Sequence, residues 1–276
     1  MSYRSILVHL DNEESATRRL DYAIALARRF DAELVGVYIV PGTDLAPSTA
    51  AMMRPEAVER RLAQFGEAQH VAERTFRDAA GAAGLAVDWR APAGAPIDAA
   101  VAHARCCDLF IVGQHRPSAA GFGDALVSNV LLSSGRPTLV VPHGGAPAAL
   151  AERVLIAWNG GREAARAIGD ALPLLEQAQR VDVIAVDEDS EADVSDRLAG
   201  TRLRAWLARH GVNVDIERHG SPSTSVGEWL LDRAADLSSD LVVMGGYGHA
   251  RTRELVLGGV TRRILRASTI PVLMAH

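Results

Sequence analysis

Short apolar runs alternate along this chain with longer stretches whose apolar residues follow a helical period. The first run, ILVHL at 6–10, gives way to Leu20, Ala23, Ile24 and Ala27, spaced i, i+3, i+4 and i+7 on one helix face. Further strands are predicted at 32–40, 86–90, 108–112 and 137–141, then near 153–158, 180–186, 212–218, 240–244 and 271–274. Strands that are apolar almost throughout, separated by helices, predict a parallel sheet buried on both faces. Pro173 falls inside a predicted helix and is expected to kink it.

The pattern occurs twice. RSILVHLDNEESATRRLDYAIALA (4–27) and ERVLIAWNGGREAARAIGDALPLL (152–175) share a strand, a polar turn holding Asp11 or Asn159, and a helix. CDLFIVGQH (107–115) matches SDLVVMGGY (239–247), and RPTLVVPH (136–143) matches IPVLMAH (270–276), in the same order. Between the copies, HGGAPAALAE (143–152) has the composition of a linker. The expectation is an α/β protein of two tandem doubly wound domains, 1–145 and 150–276, each a five-stranded parallel sheet flanked by helices. The helix-rich segment 44–83, opening within the loose PGTDLAPSTA, is longer than a crossover needs.

In open parallel sheets, ligands bind at the carboxyl ends of strands where the strand order reverses. With the first strand beside the fourth, that crevice lies between WNGG (158–161) and MGGYG (244–248). The glycines there have the spacing G-x2-G-x9-G-G, from Gly245 through Gly248 to Gly258 and Gly259. Main-chain amides at a glycine turn and a helix start can hold a phosphate without positive side chains. Gly245 and Gly248 can adopt φ > 0, and Gly258-Gly259 opens the helix that carries Val260, Ile264 and Leu265. On the residues alone, the alternative stands beside this: the glycines only turn the chain and pack helices. His249 is near enough to the loop to touch a phosphate, while His115 follows the equivalent strand of the first half. Arg251, Arg253 and Glu254 either reach over the loop or pair with one another.

These motifs resemble the universal stress proteins in their tandem form, once per half and over almost the whole chain. The resemblance implies strand order 3-2-1-4-5 in each half and pairing through the last strand. The two halves would then form an intramolecular pseudo-dimer, to which a homodimer and an unidentified protein partner can add. It also implies an adenine nucleotide, ATP or a relative, with Mg as an optional companion. Asn159 and Ala157 would lie near the adenosine, Val186 by the adenine, and Met244 along the crevice. Gly245, Gly246, Gly248, His249 and Gly258 would surround the phosphates, with Gly259 and Val260 at the helix start.

Two departures matter. Asn159 replaces the usual Asp but still offers an acceptor and two donors. Gly259 replaces Ser or Thr, and the lost hydroxyl bond to a charged group is worth roughly 1.5–3 kcal/mol. The first half departs further. Asp11 and Gly113 are kept, but Arg116 and Pro117 follow, and Asp124-Ala125 stands at the helix start, where a carboxylate would repel a phosphate. That half is read as a structural partner without nucleotide.

Composition narrows the function. The net charge of −5 comes without a Lys/Arg-rich block, so the footprint of a nucleic-acid binder is missing. No apolar run approaches the ~18 residues of a membrane span, and MSYRSILVHLDNEES lacks the features of a signal peptide, which suggests a cytoplasmic protein. Cys106 and Cys107, adjacent, fit no disulfide framework. With His103 they share a helix face that could hold a metal, but no fourth ligand stands out and cysteine there also serves as a small apolar residue. The chain has no G-x-x-x-x-G-K-[ST] loop, no G-x-S-x-G elbow and no positioned base, so no catalytic residue is assigned and hydrolysis of ATP would be slow at most. The expectation is a stress-response protein that binds an adenine nucleotide in its C-terminal half as a sensor or switch. The alternative is a nucleotide-free interaction protein.

Overall fold

The computed structural model describes residues 2–40, 53–114, 122–144, 151–187, 194–220, 224–247 and 259–276, with the side chains of 186–187 and 194–199 outside that description. The chain forms two compact units, the first built on 2–113 and the helix at 122–133, the second on 135–276. In the first, β1 (Ser5–Leu10), α1 (Ala16–Phe30), β2 (Glu33–Tyr38), α2 (Pro55–Ala82), β3 (Val87–Arg90), α3 (Pro96–Ala104), β4 (Leu109–Gly113) and α4 (Phe122–Ser133) follow in turn. All pairings are parallel, in the order β3-β2-β1-β4.

The second unit holds β5 (Thr138–Val141), β6 (Arg153–Trp158), α5 (Arg162–Leu175), β7 (Arg180–Asp187), α6 (Val194–Arg209), β8 (Val214–Gly220), α7 (Val226–Asp236), β9 (Leu241–Gly245), α8 (Gly259–Ala267) and β10 (Val272–Ala275). Here the parallel order is β8-β7-β6-β9-β10, the expected 3-2-1-4-5. The pairing through the last strand that the resemblance implies is seen at the fifth strand of the first repeat. β5 belongs to the second unit and pairs antiparallel with β10, Val140 opposite Val272. Every residue of both strands is buried. Neither could remain an open edge with unpaired main-chain groups, and pairing the last strands of the two repeats satisfies them.

Identical local devices confirm the duplication. The Asp108 carboxylate accepts from the amides of Arg4 and Ser5, at 2.7 and 3.0 Å, and fixes the start of β1 against β4. Asp240 does the same for Glu152 and Arg153 at the start of β6. The register repeats too: Ile6 lies opposite Leu109 as Val154 lies opposite Leu241. α1 buries Leu20, Ala23, Leu26 and Phe30 and ends at Asp31 in the left-handed conformation, φ 51°, with Arg28 and Arg29 in its last turn where the dipole favours cations. Pro173 sits in the last turn of α5, so its missing N–H removes one bond just before the helix stops.

The long segment after β2 becomes α2, whose buried residues are Phe76 and Ala80 near its C-terminal end. Phe76 and Trp89 close over Gly36 of β2, where a Cβ would come within 3.1 and 2.9 Å of their rings. A glycine in mid-strand thus makes the flat floor on which α2 docks. Among the described residues no helix is long and apolar enough to cross a membrane.

Candidate functional site

The C-terminal crevice opens where β6 and β9 end side by side, Ala157 opposite Met244, at the point where the strand order reverses. After β6 the chain turns tightly. Asn159 Oδ1 accepts from the Gly161 amide at 3.0 Å, and Gly160 supplies the left-handed step at φ 72°. Asp11 builds the same turn in the first half, accepting from the Glu13 amide at 3.0 Å. Asn159 is exposed, Ala157 half-buried and Met244 buried. Val186 lies in β7 opposite His219 of β8, its side chain outside the described residues.

At the end of β9, Gly245 serves packing. A Cβ on Gly245 would come within 2.5 Å of the Ala164 nitrogen and 2.7 Å of the Glu163 carbonyl carbon, so a side chain there would strike the first turn of α5. The left-handed residue of this turn is Tyr247, φ 66°, and not the expected Gly245. Gly246 donates its amide to the Ala275 carbonyl at 2.9 Å, and its own carbonyl lies 3.0 Å from His276 Nδ1. The main-chain groups of Gly246 are therefore engaged in holding β9 to the chain end.

Gly259 is different. It begins α8, is exposed, and a Cβ added to it would meet nothing within 4 Å. The first amides of a helix have no partner within the helix, so among the described residues this is an open, electropositive start. Val260 is half-buried, and its carbonyl packs against Gly227 of α7, where a Cβ would come within 3.2 Å of it. The Arg263–Glu228 ion pair also joins α8 to α7. Gly248, His249, Arg251, Arg253, Glu254 and Gly258 lie outside the described residues, as do His115, Arg116 and Pro117.

One residue that sequence reasoning passed over is Glu163, buried in the first turn of α5 with Oε1 accepting from Arg162 Nε at 2.6 Å. Burial pushes its carboxyl up, but the Arg162 hydrogen bond and the charges of Arg162 and His276 hold it below the usual carboxylate range. An acid at a helix start is the only sequence signal it gives.

The first half presents a filled crevice. Arg19 of α1 is 2% exposed, and its Nη2 donates to Asp11 Oδ1 at 2.7 Å. His9, also buried, has Nε2 2.6 Å from the Ile39 carbonyl, which requires the proton on Nε2 and leaves Nδ1 bare, 3.7 Å from Asp11. Burial, then the Arg19 charge, push the imidazole down from 6.5 to about 4, against the opposing pull of Asp11 and the Ile39 carbonyl. Burial also pushes Asp11 up, but Arg19 and His9 hold it below its ordinary value. Tyr38 donates its hydroxyl to Asn12 Oδ1 at 2.9 Å beside this cluster.

A pH dependence follows. Between pH 6.5 and about 4 the unfolded chain takes up a proton at His9 that the folded chain refuses, so stability is full above 6.5 and falls with pH across that window. The loss is about 3 kcal/mol, from about 1.4 kcal/mol per pKa unit. Thermal unfolding from pH 7.5 to 4 is expected to show this slope, and His9→Gln is expected to remove most of it.

The metal reading of the first half meets different geometry. His103 Nδ1 accepts from Arg90 at 3.3 Å, and Cys107 is buried with Sγ donating to the Ala104 carbonyl at 3.1 Å. Among the described residues no group of three or more His, Cys, Asp or Glu is placed to hold a metal.

A duplicated doubly wound unit, with a turn-lined crevice at the switch point of each copy, defines a class of tandem α/β proteins. The universal stress protein family matches residues 2–142 and again 151–276, and the chain belongs to that family. A universal stress protein of Synechocystis is 27% identical over 174 residues, 60% of this chain and 57% of that protein's length. The crystal structure of a universal stress protein from Archaeoglobus fulgidus is 18% identical, covers 98% of this chain and 97% of its own, and superposes with a TM-score of 0.75, a likeness of fold. A universal stress protein solved in complex with cAMP is similar to 52% of this chain over its full length, at 24% identity and a TM-score of 0.38.

Proposed function

We propose that the chain binds an adenine nucleotide at the C-terminal crevice and that occupancy shifts a conformation or an interaction in a stress response. The observation that carries this reading is the start of α8. Gly259 has no side chain and, among the described residues, no neighbour within 4 Å of an added Cβ, and the first amides of a helix find no partner within the helix itself. The phosphates would rest there, with Gly248, His249, Gly258 and Val260 around them. The base would lie over Ala157, Met244 and Val186, and Asn159 near the sugar. Gly245 and Gly246 would shape the floor and leave the amides of α8 to bind.

Calorimetric titration of the full chain with ATP, ADP and AMP, each with and without magnesium, tests this. One site per chain is expected. Gly259→Val places bulk in open space, so folding is retained while affinity falls roughly ten- to a hundredfold, the equivalent of losing a bond or two to a charged group. Equal affinity in that variant would put the ligand elsewhere. The second reading, an interaction protein without nucleotide, is favoured by the packing roles of Gly245 and Gly246 and predicts no binding heat at all.

A further inference from the structure

We propose that Arg19 closes the N-terminal crevice, as a built-in cation whose guanidinium is fixed by Asp11 over Gly113 in the place a ligand would take. That crevice is thus a cation site, opposite in sign to one that receives phosphate. The proposal does not depend on nucleotide binding by the other half.

Three observations carry it. A Cβ on Gly113 would collide with Arg19 Nη1 and lie 3.2 Å from its Cζ, so the glycine that ends β4 makes room for a guanidinium. The guanidinium cannot simply swing away, because the side chain is buried and bonded to Asp11. Third, the shared register makes His9, Asp11, Arg19 and Gly113 the counterparts of Ala157, Asn159, Ala167 and Gly245. The cation and its counterion disappear together in the second half. Asn159 keeps the turn that Asp11 makes, and at its exposed position it needs no cation beside it. At Gly245 the space that Arg19 fills in the first half is taken by the main chain of α5 itself.

Arg19→Ala in the full chain should leave a hole shaped for a planar cation beside Asp11. Guanidinium chloride at low millimolar concentration is expected to raise the Tm of this variant by several degrees over equal sodium chloride, and to leave the parent chain unchanged. Absence of that rescue, an equal rise in the parent, or stabilisation of the variant by inorganic phosphate instead would overturn the proposal. Should Arg19→Ala not fold, Gly113→Ala decides. It should lower Tm clearly in the parent chain and far less in the uncharged Asp11→Asn/Arg19→Met background. Equal losses in the two backgrounds would show that Arg19 does not sit over Gly113.

Discussion

Replacing Asp11 by alanine is expected to destabilise the first unit by about 3–5 kcal/mol, because it leaves the Arg19 guanidinium buried without a counterion. Few single side chains on this surface should matter as much. Arg77–Glu73, an i,i+4 pair on α2 with 49% and 27% side-chain exposure, is worth about 0.5 kcal/mol or less, so Glu73→Ala is the matched control. The difference lies in solvent: Arg77 regains water when its partner goes, and Arg19 cannot. Removing both charges together, as Asp11→Asn/Arg19→Met, should restore most of the loss, since a buried pair contributes little net stability over packed neutral side chains. Trp89 is the one tryptophan of the first unit, set between Tyr38 and Phe76, so urea unfolding read from it reports this unit once Trp158, Trp206 and Trp229 are phenylalanine. Losses of similar size for Asp11→Ala and Glu73→Ala would mean that Arg19 is solvated in solution.

Gly245→Ala is expected to destabilise the second unit by about 3 kcal/mol, at the upper end of the cost of overpacking. The atoms it would strike, the Ala164 nitrogen at 2.5 Å and the Glu163 carbonyl carbon at 2.7 Å, belong to the main chain of α5 and cannot rotate aside. The helix would have to move off β9. Gly259→Val, made in the same motif, should change stability by less than ~0.7 kcal/mol, because no described residue stands in its way and the small difference in helix propensity favours valine over glycine. Thermal unfolding separates the two. An unchanged Tm for Gly245→Ala would show that α5 stands farther from β9 than described. The pair of variants also divides the motif by role: its first glycine for packing, its last for an open helix start.

Much of this was legible in the residues. The strands fell where the apolar runs lie, and the duplicated order of blocks foretold two copies of one α/β plan. The turns at Asp11 and Asn159 were likewise readable, since an Asx turn is made by neighbours in sequence. Arg19 was missed although a signal existed. Arg19, Ala23, Leu26 and Phe30 share the buried stripe of α1, and a charge in phase with such a stripe needs a buried partner. His9 within ILVHL carried the same warning. The pairing of β5 with β10 followed from the resemblance and not from the apolar pattern, because a short buried strand looks the same whether its neighbour runs parallel or antiparallel.

The order and kind of the elements were set by the sequence itself, because hydrophobic period, turn chemistry and helix ends depend on residues a few positions apart. The spacing of the glycines was set there too, but not their use. Gly113 and Gly245 end equivalent strands, yet one admits a guanidinium from α1 and the other the backbone of α5. Only the folded chain could decide that. A glycine declares the absence of a side chain, and what fills the space arrives from a distant part of the chain through packing.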